Sequence, residues 1–543
     1  MGEATVDNLC ITVEHSGEHV VKGLTITVEP GEILGLAGET GSGKTTLALA
    51  FLAYTMPGLK MAQGSVAVSG QLLWSGPATQ EAAPSLSTAG LRQLRGKDIC
   101  YVPQDPGGAL PPNLRIKEAF ASVMKAHGIT GKAEHKERIE ELFQTVGLSC
   151  DESFLNRYPH QLSGGQQQRV AIAIAFAHSP ELVVMDEPTT GLDATTTRKV
   201  VNLIKGLSER FRASTVFVSH DLRLLLSLAD RIAVLRNGEI VEVLPAGDFV
   251  AKAVHPYTKE LIDALPKADE PVKPESLPPK RPILEKGRKE VLIVQGLTAS
   301  FGQKAAIRAL DFSLDRGSCL AFVGESGSGK TTTARCIAGL HGAFEGRVLI
   351  EGEELPQTLA KRSLKQKQSV QYVFQNPTAA LNPRKTVGAT LMAAIRSYQK
   401  LDGKLAWEKA VSLANDVGLR EDHLHALPRQ LSGGQKQRIC LARALAANPA
   451  LLICDEVTSS LDVIVQKGII DLLHRLQHER NLTVLFITHD FGLAHIISAT
   501  TMVLFEGGIV ESGPTEQIIG APQHPYTKAL IESASLNVRR KDT

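Results

Sequence analysis

Short apolar runs alternate with segments of helical spacing along this chain, and the alternation occurs twice. Ile33 to Ala37 reads as a strand, followed by a glycine-rich stretch and a helix-compatible segment, Leu47 to Ala53. Cys319 to Val323 and Thr333 to Leu340 repeat that order. Each half then carries a largely helical stretch (Ile116 to Val146; Val387 to Val417) and an apolar strand (Leu182 to Met185; Leu451 to Cys454). A helix and another strand follow (Thr215 to Val218; Thr483 to Ile487). Buried strands alternating with helices predict an α/β fold with a mainly parallel sheet. The helical stretches predict a separate subdomain in each half. No apolar run reaches the ~18 residues of a membrane-crossing helix.

The doubling sets the domain organisation. Lys44 corresponds to Lys330 at a separation of 286 residues, and Gln104 to Gln375 at 271. Ser163, Glu187, His220 and His255 match Ser432, Glu456, His489 and His524 at 269. The first half therefore holds about fifteen extra residues after its glycine loop. Gly76 to Gly90, rich in Ala, Ser, Thr and Pro, is the expected surface insertion. Between the halves, Lys267 to Glu290 carries prolines at 271, 274, 278, 279 and 282 and many charges. It reads as an extended, partly stiff spacer. The expected domains are residues 1–266 and 291–543, with 267–290 as linker.

Composition changes this picture little. A chain of 543 residues, 43% apolar and 21% charged, is ordinary for a soluble protein too large for one core. Its net charge of +2 gives no global nucleic-acid or membrane signal. Met1 to Asn8 is not basic and no long apolar core follows, so no secretory leader is expected. Seven scattered cysteines form no C-x-x-C pair or Cys/His ligand set. Cys319, Cys440 and Cys454 sit inside apolar runs and read as small buried residues of a reduced, cytosolic protein.

The chemistry lies in the repeated polar motifs. Gly38-Glu39-Thr40-Gly41-Ser42-Gly43-Lys44-Thr45-Thr46 fits G-x-x-x-x-G-K-[ST], a phosphate-binding loop. Gly324-Glu325-Ser326-Gly327-Ser328-Gly329-Lys330-Thr331-Thr332 fits it again. In the strand–loop–helix setting, backbone N–H groups turn inward around phosphate oxygens, and the helix N-terminus favours an anion. Lys44 and Lys330 would reach the β/γ-phosphates, and Thr45 and Thr331 would hold Mg²⁺. An apolar strand ending in acids is the second ingredient. Asp186 and Asp455 would hold Mg²⁺, and Glu187 and Glu456 could polarise the attacking water. Leu162-Ser163-Gly164-Gly165-Gln166 and Leu431-Ser432-Gly433-Gly434-Gln435 each head an apolar helix, as a plain cap or a further anion site.

LSGGQ between a phosphate loop and an Asp-Glu strand resembles the signature of ABC ATPases, and the resemblance covers nearly all of both halves. It implies tandem P-loop NTPase domains, each a mainly parallel core sheet with an antiparallel β subdomain and a helical subdomain. It implies head-to-tail pairing, with Gly38–Thr46 facing Ser432–Gln435 and Gly324–Thr332 facing Ser163–Gln166. Gln104 and Gln375 match the Q-loop, a contact to Mg²⁺ or water. Asp193 and Asp462 match the D-loop, and His220 and His489 the switch histidine. Phe301, 23 residues before Gly324, fits the adenine-stacking aromatic; the same spacing before Gly38 gives His15. Val457 stands where the first half has Pro188.

Gln104-Asp105-Pro106, Gln375-Asn376-Pro377 and the His-Pro-Tyr-Thr-Lys runs at 255–259 and 524–528 resemble the dipeptide/oligopeptide/nickel importer branch. That branch implies an ATP-hydrolysing motor peripheral to the cytoplasmic face of the inner membrane. Its partners would be two transmembrane permease subunits and an extracytoplasmic substrate-binding protein, with no nucleic acid. The HPYTK run itself reads as a packed turn before a final helix. The rival reading is a soluble tandem ATPase acting on the ribosome as a translation factor. Such proteins usually carry a long charged helical linker and lack the HPYT ending.

Overall fold

The computed structural model describes residues 2–76, 86–192, 194–265, 289–301, 304–459 and 461–534. Most of the expected insertion and nearly all of the expected linker lie outside the described residues. The chain divides into two compact units, built from residues 2–192 with 196–265 and from residues 289–534.

In the first unit, six strands form the core sheet in the order Glu239–Pro245, Arg231–Arg236, Ile33–Ala37, Ser214–Val218, Leu182–Asp186 and Ile99–Val102. All neighbours pair in parallel except the first two. Every residue of the three central strands is buried. That matches their unbroken apolar runs, since helices cover both faces of a parallel sheet. Each fully buried Leu, Val or Ile contributes about 1.5–3 kcal/mol. A second, antiparallel sheet runs His19–Val28, Ala4–Val13, Leu59–Val68 and Gln71–Ser75. Its inner face (Val6, Leu9, Ile11, Val66) joins one apolar core with the phosphate-loop helix, Lys44–Ala50.

The second unit repeats this plan. Its core order is Val370–Val373, Leu451–Asp455, Thr483–Thr488, Cys319–Val323, Thr500–Phe505 and Gly508–Pro514. Its antiparallel sheet is Lys304–Asp315, Glu290–Phe301, Phe344–Ile350 and Glu353–Glu354.

The helical stretches are each broken once. Ile116–Ala126 ends at His127 and Gly128, whose φ of 89° glycine tolerates freely, and Lys132–Thr145 follows. In the second unit Val387–Gln399 ends at Lys400 (φ 56°), and Asp402 caps Gly403–Asp416. Cys100, Cys319, Cys336, Cys440 and Cys454 are buried, whereas Cys10 and Cys150 are half-buried. No described helix is long and apolar enough to cross a membrane.

Candidate active site

Four adjacent parallel strands carry the polar motifs on their C-terminal ends. Ile99–Val102 leads to Gln104, Leu182–Asp186 to Glu187, Ser214–Val218 to His220, and Ile33–Ala37 to the glycine loop. Parallel order alone therefore gathers segments up to 182 residues apart in sequence into one crevice. The second unit brings Gln375, Glu456, His489 and Gly324 together by the same order.

The loop begins with a backbone that only glycine accepts. Gly38 has φ 142°, and a Cβ there would lie 2.2 Å from the Leu235 carbonyl oxygen; at Gly324 it would lie 2.3 Å from that of Leu504. Lys44 is buried, and its Nζ donates to the carbonyls of Gly38 and Glu39, both at 2.8 Å. Lys330 Nζ donates to Gly324 and Glu325 at 2.7 and 2.8 Å. The ammonium thus rests on the loop's own oxygens, where an anionic phosphate is a stronger partner. Thr45 Oγ1 donates to Asp186 Oδ1 at 3.1 Å, and Thr331 Oγ1 to Asp455 Oδ1 at 3.0 Å. Burial pushes the carboxyls of Asp186 and Asp455 above their ordinary range, against those hydroxyl bonds.

The following glutamates adopt the left-handed conformation, φ 46° at both Glu187 and Glu456. Such a backbone costs about 1–3 kcal/mol in a residue with a Cβ. Glu187 N–H and Glu456 N–H donate to Val218 and Ile487 on the neighbouring strands. Gln104 Nε2 and Gln375 Nε2 each donate at 2.9 Å to these carboxylates. His220 Nδ1 lies 3.2 Å from Glu187 Oε2, and His489 Nδ1 lies 3.8 Å from Glu456 Oε2. Burial pushes each imidazole down and each carboxyl up, but the His–Glu contact outweighs it. Both histidines end above their ordinary value and both glutamates below theirs. The two units differ here. Thr190 Oγ1 donates to Glu187 Oε2 at 3.0 Å, whereas Ser459 Oγ donates to the Glu456 backbone carbonyl.

The signature serines cap their helices. Ser163 Oγ accepts from Gln166 N–H while Gln166 Oε1 accepts from Ser163 N–H; Ser432 and Gln435 repeat the exchange. Gly164 and Gly433 are the first residues of helices Gly164–Ala175 and Gly433–Leu445. Gly165 packs on Thr196 and Gly434 on Val465, where an added Cβ would lie 2.9 and 2.4 Å from side-chain carbon. Asp462 is buried and caps helix Val463–Arg480; Asp193 lies outside the described residues. His15 is exposed in the turn after strand Ala4–Val13. Phe301 ends strand Glu290–Phe301, and its side chain lies outside the described residues.

Two tyrosines escape the motif reading. Tyr101 and Tyr372, each three residues before the Q-loop glutamine, donate their hydroxyls to Asp186 Oδ2 and Asp455 Oδ2. Burial and the adjacent carboxylate push the Tyr101 phenol up to about 12. The signal was present in the repeat, because both halves place tyrosine at that position.

Comparison with known proteins bears on the family of the chain. The family described as ABC transporter matches residues 21–190 and 307–459. The family described as oligopeptide/dipeptide transporter, C-terminal region, matches residues 241–289 and 510–543. The glutathione import ATP-binding protein GsiA of Salmonella choleraesuis (strain SC-B67) is 34% identical, over 97% of this chain and 88% of its own length. GsiA of Pectobacterium atrosepticum is 33% identical over 97% and 89%. Among solved structures, a dimeric ATP-binding cassette in a post-hydrolysis state bound to ADP and Pi is 28% identical. It covers 45% of this chain and 98% of its own, with a TM-score of 0.39. Cassette matches in both halves, and curated ATP-binding relatives along almost the full length, identify the chain as an ATP-binding protein of the ABC transporter family with two cassettes.

Proposed function

We propose that this protein is the ATP-hydrolysing motor of an importer for di- or oligopeptides. The observation that carries the reading is the oligopeptide/dipeptide C-terminal region following both cassettes. The chain-long similarity to glutathione import proteins supports it. Residues 1–266 and 291–543 act as two nucleotide-binding domains joined by 267–290. The motor works at the cytoplasmic face of the inner membrane through two permease subunits, supplied by an extracytoplasmic binding protein.

Each ATP lies between one domain's phosphate loop and the other's signature. Gly38–Thr46 pairs with Ser432–Gln435, and Gly324–Thr332 with Ser163–Gln166. Lys44 and Lys330 exchange loop carbonyls for phosphate oxygens. Phe301 and His15 stack on adenine, and Asp193 and Asp462 serve as the D-loop residues of the ATP sites. Thr45, Asp186 and Gln104, with Thr331, Asp455 and Gln375, offer hydroxyl, carboxylate and amide oxygens, a donor set that suits Mg²⁺. When bound, Mg²⁺ neutralises charge building between the β- and γ-phosphates. Glu187 and Glu456 accept the proton of the attacking water, each held in place by its histidine and Q-loop glutamine.

Photocleavage by vanadate trapped in place of the γ-phosphate tests the pairing. With Lys330→Ala silencing one site, cuts are expected within 38–46 and 432–435. Cuts within 38–46 and 163–166 would refute the head-to-tail arrangement.

A further inference from the structure

The His-Pro-Tyr-Thr-Lys run reaches the phosphate loop. In the first unit Tyr257 is buried, and its hydroxyl accepts the Glu39 N–H at 2.8 Å. In the second, Tyr526 accepts the Glu325 N–H at 3.0 Å. These bonds close over 218 and 201 residues of chain. They recur in both units although the ring contacts differ. Arg236 lies over the Tyr257 ring at 4.6 Å, and Phe505 packs on Tyr526 at 4.2 Å between centroids.

The motif letters explain how the tyrosine is aimed. The histidine caps the helix, His255 Nδ1 accepting Tyr257 N–H and His524 Nδ1 accepting Tyr526 N–H. Proline opens helices Pro256–Asp263 and Pro525–Ala534 at the position where its missing N–H costs least. Glu242 accepts the N–H groups of Val254 and His255, and Glu511 those of Gln523 and His524. This pins the turn to the last strand of the core sheet.

The contacted N–H belongs to the same peptide group whose carbonyl takes the lysine. The Gly38–Glu39 peptide is held by Lys44 Nζ on its oxygen and by Tyr257 on its nitrogen. The Gly324–Glu325 peptide is held by Lys330 and Tyr526 in the same way. A peptide tied at both ends resists flipping. We infer that Tyr257 and Tyr526 are positioning residues of the ATP sites, fixing the first peptide of each phosphate loop so that the loop is formed before nucleotide arrives. The inference rests on the proposed role of these loops in binding ATP. Preorganisation of this kind lowers the ordering cost of binding and leaves the chemical step alone.

The test is Tyr257→Phe with Tyr526→Phe in the full chain, which keeps both rings and removes only the hydroxyls. ATP affinity in Mg²⁺ buffer should weaken about three- to tenfold, the effect of one hydrogen bond. KM should rise in parallel and kcat should hold, while nucleotide-free melting should fall by no more than the few degrees that one hydrogen bond is worth. Unchanged affinity overturns the inference. So does a kcat that falls with the affinity, or nucleotide-free melting that falls further than that, which would make the tyrosines packing residues only. Lys44→Ala with Lys330→Ala serves as the control for the loops themselves. If that variant binds ATP as the parent does, the reading of the loops fails and the inference with it.

Discussion

Gln104 Nε2 donates to Glu187 Oε2 at 2.9 Å, so the Q-loop glutamine is tied to the proposed catalytic base. The pair Gln375–Glu456 keeps the same distance. Whatever moves the Q-loop therefore pulls on the carboxylate. Gln104→Ala with Gln375→Ala should release both glutamates and uncouple hydrolysis from the permeases. Basal turnover should change less than the stimulation by transported peptide; equal loss of both would contradict this linkage.

Replacing the bases themselves is more severe. Glu187→Gln with Glu456→Gln should still bind ATP but hydrolyse it about 10²–10⁴-fold more slowly. Phosphate release and nucleotide retention, measured on the same sample, check the two halves of that statement. Parental turnover in the double variant would remove the general-base assignment.

The histidine–glutamate pairs predict a pH window. His220 is raised above its ordinary value, so its stabilising contribution is complete below about pH 6.5 and is lost as pH rises through the raised value. Glu187 is lowered, so its contribution is present above about pH 4.3 and is lost as pH falls through the lowered value. The pair is strongest between those limits. In proton–carbon NMR the His220 ring should titrate above 6.5, and Glu187→Gln should bring it down. Titration at or below 6.5 in the parent would contradict the contact.

The signature glycines predict a compensating pair. An added Cβ at Gly434 would meet Val465 Cγ1 at 2.4 Å, so Gly434→Ala should cut ATPase activity and stability. Val465→Ala should restore part of both, with a coupling of about 0.5–3 kcal/mol in a double-mutant cycle. Gly165, whose nearest contact is Thr196 Cγ2 at 2.9 Å, should tolerate alanine better.

The core strands and glycine loops were legible in sequence because their signals are local. An apolar run of five buried residues and a glycine string state their own structure. The breaks at Gly128 and Lys400 were not read, because helical periodicity resumes beyond each within a few residues. The hydroxyl bonds of Tyr101, Tyr257, Tyr372 and Tyr526 were not read either. Each joins segments 83 or more residues apart, and no local pattern encodes which distant group a phenol meets. The HPYTK run is the packed turn before a helix that its sequence predicts, whereas its reach to the phosphate loop is set by the fold.

Reconstitution tests whether the chain is a two-cassette motor for peptide import. The chain would be purified with its permeases, placed in liposomes, and assayed for ATP hydrolysis with and without peptide-loaded binding protein. Co-purification with a permease pair is expected, with hydrolysis that rises when peptide is supplied. Fractionation with ribosomes, and hydrolysis indifferent to permeases and peptide, would contradict that function.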